Sequence, residues 1–127
     1  MYHIEVVNQG AYAFEAKAKN YRFSIEMEGK AGITPLDTLL ASLGSCVGVY
    51  IRKYCEGAKI SLNEFSIDVS ADLAREKPAS FRKINVTIDL KGPAFSEVKR
   101  KALLDFVRNC PVHTTLGVEP QVEIAIK

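Results

Sequence analysis

Two cysteines stand in settings that suit thiol chemistry. Cys46 ends the run Leu39-Leu40-Ala41-Ser42-Leu43-Gly44-Ser45-Cys46, among apolar and small residues, and Cys110 opens Cys110-Pro111-Val112-His113. A thiol attacks only as its thiolate, and local environment sets the thiolate fraction. Proline favours the first position of a helix, which would put Cys110 at a helix start. The backbone N–H groups of Val112 and His113 then face the sulfur and favour its anion. Cys46 lies in mid-helix, without that help, and apolar surroundings disfavour a thiolate. One thiol among greasy residues and one at a helix start make the pattern of a peroxidatic and resolving pair. The first becomes a sulfenic acid, and the second condenses with it to a disulfide. His113 is close enough in sequence to touch the Cys110 thiol.

Plain packing is the competing explanation. Free cysteine is among the most buried residue types, so Cys46 would serve as a small hydrophobe and Cys110 as a buried cap. Cys55 falls near the C-terminal end of the same helix, where dipole charge discourages a thiolate, and it reads as packing alone. Cys46, Cys110 and His113 lack the near-neighbour ligand pair and fourth group of a structural zinc site, so no metal is expected. Gly29-Lys30-Ala31-Gly32 matches neither a phosphate-binding loop nor a dinucleotide fingerprint, so no cofactor is expected either.

The 127 residues fit one domain, 1–127, with a modest core. Hydrophobic residues make up 47% and charged residues 25%, an ordinary globular balance. A net charge of +2 is too small for a nucleic-acid surface, and no stretch interleaves basic with aromatic residues. Lys99-Arg100-Lys101 reads as the wet face of a helix. Three cysteines is an odd count for a stapled secreted domain. Met1-Tyr2-His3-Ile4-Glu5 has neither the charged head nor the apolar run of a signal peptide. No apolar segment approaches the roughly 18 residues of a membrane span. The expected location is the cytoplasm, where thiols stay reduced.

Alternation predicts three strands around Tyr2-Ile4-Val6, Tyr12-Phe14-Ala16 and Tyr21-Phe23-Ile25-Met27, joined by turns at Asn8-Gln9-Gly10 and Lys19-Asn20. A long helix then starts with Thr34 as cap, Pro35 in the first position and Asp37 in the third, and runs to about Glu56 with Gly57 as its C-terminal cap. Leu36, Leu40, Leu43, Val47, Tyr50 and Tyr54 form an apolar stripe beside a small-residue strip of Ala41, Gly44, Ser45 and Gly48. Each interior glycine costs about 1 kcal/mol relative to alanine. A close neighbour, such as a second copy of this helix, would offset that loss. Asp37 lies about 180° round the helix and ~13 Å along it from Cys46, so capping is its expected role.

Two more strands follow, Phe65–Leu73 and Ile84–Leu90, around the loop Arg75-Glu76-Lys77-Pro78. After Gly92-Pro93 comes an amphipathic helix ending near Asn109, then a short helix from Pro111 to Gly117, and a closing strand through Val122, Ile124 and Ile126. The order is β-β-β-α-β-β-α-(α)-β, an α+β domain.

In element order and in the segments Thr34–Cys46 and Cys110–Leu116, the chain resembles the OsmC/Ohr family of osmotically inducible and organic hydroperoxide resistance proteins. The resemblance implies antiparallel sheets around a long central helix, in an intertwined homodimer with two equivalent interface sites. It implies thiol peroxidase chemistry without metal, haem or flavin. Cys46 matches the attacking cysteine and Cys110 the resolving one, with a lipoyl-type dithiol restoring both. Active relatives carry a hairpin Arg and a Glu just after the helix proline, which hold the attacking thiol ionised. Here Leu36 takes the Glu position and Asn8-Gln9-Gly10-Ala11 has no Arg, so the chain fits a divergent branch. Arg22 and Arg108 are the substitute cations to consider, with His113 and Asp37 as auxiliaries. Two functions remain open: a peroxidase for organic hydroperoxides, or a non-enzymatic dimer of the same fold that binds a small apolar ligand.

Overall fold

The computed structural model describes residues 1–92 and 95–127. Pro93, half of the expected Gly92-Pro93 break, lies outside the described residues. The observed order is β1 (Glu5–Asn8), β2 (Ala13–Lys17), β3 (Arg22–Glu26), α1 (Pro35–Gly57), β4 (Ser66–Ala74), β5 (Ser80–Asp89), α2 (Glu97–Val107) and α3 (Pro111–Val118). This is an α+β fold with antiparallel sheets. The chain divides into two compact units, Met1–Ala41 and Ser42–Lys127.

The first unit holds the expected meander, with sheet order β1-β2-β3 and every pairing antiparallel. Its first turn closes on Asn8, whose amide donates to the carbonyls of Ala11 (3.0 Å) and Ala13 (3.1 Å). Gly10 supplies the positive φ of 106° that the turn needs. Past β3, the Glu26 carboxylate accepts the N–H groups of Glu28 and Lys30 at 3.0 and 2.8 Å. Those donors hold its pKa below the usual carboxylate range. A Cβ on Gly32 would sit 2.5 Å from the Ser24 carbonyl oxygen. Only glycine therefore lets Ile33 bond back to Ser24 and Glu26 on β3. Helix α1 then starts as the sequence predicts, with Thr34 Oγ1 accepting the Asp37 N–H at 3.1 Å.

The second unit is organised on the rest of α1. Leu43, Val47, Ile51 and Cys55 line one buried face, and Leu62, Phe95, Leu103, Val107 and Cys110 close on it. The small-residue strip has a different neighbour from the one expected. A Cβ at Gly44 would lie 3.0 Å from Val69 Cγ2, and one at Gly48 3.2 Å from Ile67 Cδ1. Both glycines thus seat β4 of the same chain against α1, and no second helix is needed to explain them. Strands β4 and β5 form an antiparallel hairpin with an irregularity between Ala71 and Leu73. Arg52 pins the segment between α1 and β4: it donates to the carbonyls of Leu62 and Asn63 and lies 4.9 Å over the Phe65 ring.

Two further expectations need correction. Gly57 is the last residue of α1, not its cap. Ile60 N–H bonds the Cys55 carbonyl at 2.8 Å and Lys59 N–H the Glu56 carbonyl at 3.2 Å, with Lys59 itself left-handed at φ 55°. That is the Schellman pattern with lysine in the place glycine favours; Ile60 packing on the core beside Cys55 sets the register instead. The closing strand is also absent. Residues 119–127 make no ladder, and Val122, Ile124 and Ile126 are exposed at 75, 91 and 99%. Alternation alone does not make a strand, which needs a neighbouring edge to bond.

A left-handed non-glycine residue costs about 1–2 kcal/mol. Lys59→Gly should therefore raise stability by about 1 kcal/mol in urea unfolding, with the m-value unchanged. An equal or lower midpoint would show that the α1 terminus is unstrained.

Candidate thiol site

Pro111 cannot donate a backbone hydrogen bond and pre-sets helical φ, so α3 begins there and Cys110 becomes its N-cap, at φ −62° and ψ 138°. Its sulfur accepts the His113 N–H at 3.4 Å, and the Val112 N–H also bears on it. Cys110 is 0% exposed. From α1, the half-buried Cys46 packs on the same core cluster, near enough for its thiol to bear on that of Cys110. Both thiols are free. Two sulfurs sixty-four residues apart in sequence thus meet at the junction of α1 and the α3 start.

Burial pushes the Cys110 thiol above its ordinary pKa. The His113 N–H works against that, the contact with Cys46 adds to it, and the Val112 N–H opposes it again. Desolvation therefore outweighs the helix start. The sequence anticipates the N–H donors and, in its packing alternative, a buried cap. Cys55, the third thiol, is buried in the core as expected; burial raises its pKa and the Arg52 charge partly offsets the rise.

The remaining candidates divide by location. In the second unit, His113 Nδ1 lies 2.9 Å from the Arg108 carbonyl oxygen. A carbonyl only accepts, so Nδ1 carries the hydrogen. The Arg108 guanidinium pairs with Asp105 at 3.2 Å. In the first unit, Arg22 pairs with Glu15 at 3.8 Å, and Asp37 serves the first turn of α1 through its backbone N–H.

Sequence reasoning missed a groove of about 610 Å³ in the second unit. Leu43, Val47, Ile84, Ile88 and Val107 are among its apolar lining residues, and Arg82, Lys83, Arg108 and His113 its polar ones; neither cysteine lines it. Strand alternation marks Ile84, Val86 and Ile88 as one face, but nothing local reveals that α2 and α3 stand opposite. Among the described residues, no helix is long and apolar enough to cross a membrane.

The site thus holds a half-buried free thiol, Cys46, beside a buried free thiol, Cys110, at a helix start. The chain belongs to the OsmC-like protein family, whose model matches residues 27–125. It is 27% identical over 122 residues to a hydroperoxide reductase of Mycoplasma genitalium, covering 91% of this chain and 86% of that one. Its fold is similar to an OsmC-like protein from Mycoplasma pneumoniae, with a TM-score of 0.80, 22% identity, and coverage of 93% and 88%. It is also similar to an organic hydroperoxide resistance protein from Legionella pneumophila, with a TM-score of 0.62, 17% identity, and coverage of 91% and 90%.

Because burial raises the Cys55 and Cys110 pKa values, the unfolded chain loses these protons first as pH climbs. Their contribution to folding is full below about pH 8.5, the ordinary thiol value, and disappears as pH rises through the folded values. Urea unfolding in reductant from pH 7 to 10.5 should show that decline, and Cys55→Ala should make it shallower. An identical slope in the variant would contradict the buried-thiol assignment.

Proposed function

We propose that this protein is a thiol-dependent peroxidase that reduces organic hydroperoxides. The observation that carries the proposal is the contact between the Cys46 and Cys110 thiols. The Cys46 thiolate attacks the distal peroxide oxygen; the O–O bond breaks, an alcohol leaves, and Cys46 becomes a sulfenic acid. The Cys110 sulfur then bonds to Cys46, the S–O bond breaks, and water departs. A lipoyl-type dithiol reduces the disulfide. The relative named hydroperoxide reductase supports a peroxide-related redox role.

The missing family Arg and Glu need a replacement. A hydrogen bond to the charged form of a group favours that form. In this reading Cys110, whose own proton is held by burial, would donate its S–H to the Cys46 sulfur. Arg22 and Arg108 are the cations that would add to this effect. The working unit in this proposal is one domain, 1–127, in a homodimer in the reducing cytoplasm. The apolar Val122, Ile124 and Ile126 alternate without a ladder partner in their own chain. Intertwining with a second copy would supply the edge they lack.

Leu36 in the Glu position and the groove favour the second function, a non-enzymatic dimer that binds a small apolar ligand. The rate of cumene hydroperoxide reduction with excess dithiol separates the two. The wild type should exceed free cysteine by about tenfold or more, the effect of one pKa unit of activation, and Cys46→Ser should abolish the excess. Arg22→Ala or Arg108→Ala should slow it if that guanidinium is the activating cation. A wild-type rate equal to that of free cysteine would leave only the binding role.

A further inference from the structure

The groove of about 610 Å³ falls within the range of small-molecule sites, roughly 300–1,000 Å³. Neither Cys46 nor Cys110 lines it, so what it binds is a separate question from the chemistry of the thiols. Ile84, Val86 and Ile88 of β5 line it, paired in register with Ala71, Val69 and Ile67 of β4. Val69 and Ile67 are the side chains that meet Gly44 and Gly48 of α1. The aliphatic row therefore stands on the packed α1 and β4–β5 part of the unit. Val86, Leu104 and Leu116 line the groove and are still exposed.

The start of β5 departs from strand geometry, and the departure places charge in this groove. Ala71 pairs with Ile84 but Leu73 pairs with Phe81, so two residues of β4 span three of β5. The extra residue makes a bulge at Arg82-Lys83. In a regular strand only alternate side chains share a face; here Phe81, Arg82, Lys83 and Ile84 all line the groove in succession. A bulge re-aims side chains in this way. Arg108 of α2 adds a third cation, and no carboxylate is among the lining residues. Arg82 meets Glu76 at 3.3 Å and Arg108 meets Asp105 at 3.2 Å, both in exposed pairs. Such pairs contribute little and exchange readily for a better anion. Lys83 has no ion pair among the described residues.

We propose that this groove binds a single-chain alkyl phosphate, with the phosphate at the Arg82-Lys83 bulge and the chain along Ile84, Val86 and Ile88. A phosphate monoester carries about −1.5 to −2 charge at neutral pH and three acceptor oxygens, which suits several cations better than a carboxylate does. Arginine meets it with a fork of donors and lysine as a point charge. At about 3.3 Å per residue, the strand carries the aliphatic row some 16 Å away from Lys83, which gives the ligand a charged end and a greasy one. The inference goes beyond the peroxidase function and does not depend on it.

Isothermal titration calorimetry with decyl phosphate, below its micelle concentration, tests the site. Decyl phosphate should bind one per chain, with decanol and inorganic phosphate each at least about tenfold weaker, since each keeps only one half of the contacts. Lys83→Gln should weaken binding about tenfold, the scale of one charge-assisted hydrogen bond. Lys99→Gln, the same charge change outside the groove, should leave affinity unchanged, and so should Cys46→Ser. Val86→Glu should abolish binding while melting as a folded protein. Decanoate binding as tightly as decyl phosphate would overturn the phosphate assignment. Equal binding of decyltrimethylammonium, or an equal loss in Lys99→Gln, would reduce the effect to adsorption and overturn the site. No binding, with Val86→Glu turning a dimer into a monomer in ultracentrifugation, would give the groove to a second copy of the chain and overturn the proposal.

Discussion

The site depends on one local event, the start of α3 at Pro111. Proline dictates where the helix begins, the residue before it becomes the N-cap, and that residue is a cysteine whose sulfur accepts the His113 N–H at 3.4 Å. A thiol so fixed cannot drift. Its position is tied at once to the α3 backbone and to the core face of α1, where Cys46 reaches it. Displacing the helix start by one turn would carry the second sulfur about 5 Å along the axis and dissolve the pair.

Around that fixed point, opposing forces are balanced on the two sulfurs. The helix start favours a thiolate at Cys110, and burial disfavours it more. The result is a buried thiol held protonated next to a more accessible one. The groove mixes aliphatic residues of α1 and β5 with three cations and His113.

Much of this was legible from residue types. Cys110-Pro111 specifies an N-cap cysteine because proline geometry leaves little choice, and Thr34-Pro35 specifies the start of α1 in the same way. The β1-β2-β3 meander follows from alternation and from Gly10. What could not be read is non-local. Gly44 and Gly48 announce a close approach but do not name β4 as what approaches. The α1 terminus passes Gly57 because Ile60 packs on the core, and tertiary burial outweighs a glycine preference. The Val122-Ile124-Ile126 alternation is genuine, yet a strand also needs a neighbour, and pattern alone cannot supply one. The contact between Cys46 and Cys110 spans sixty-four residues; spacing could suggest it only through family resemblance.

The central claim is that Cys46 and Cys110 form one redox couple within a chain. The most direct measurement is peptide mapping after stoichiometric oxidation by cumene hydroperoxide, with free thiols blocked before digestion and samples analysed without reductant. The account predicts a single product, an intrachain Cys46–Cys110 disulfide with Cys55 still a thiol. Links dominated by Cys55, disulfides only between chains, or Cys46 over-oxidised while Cys110 stays reduced would contradict it.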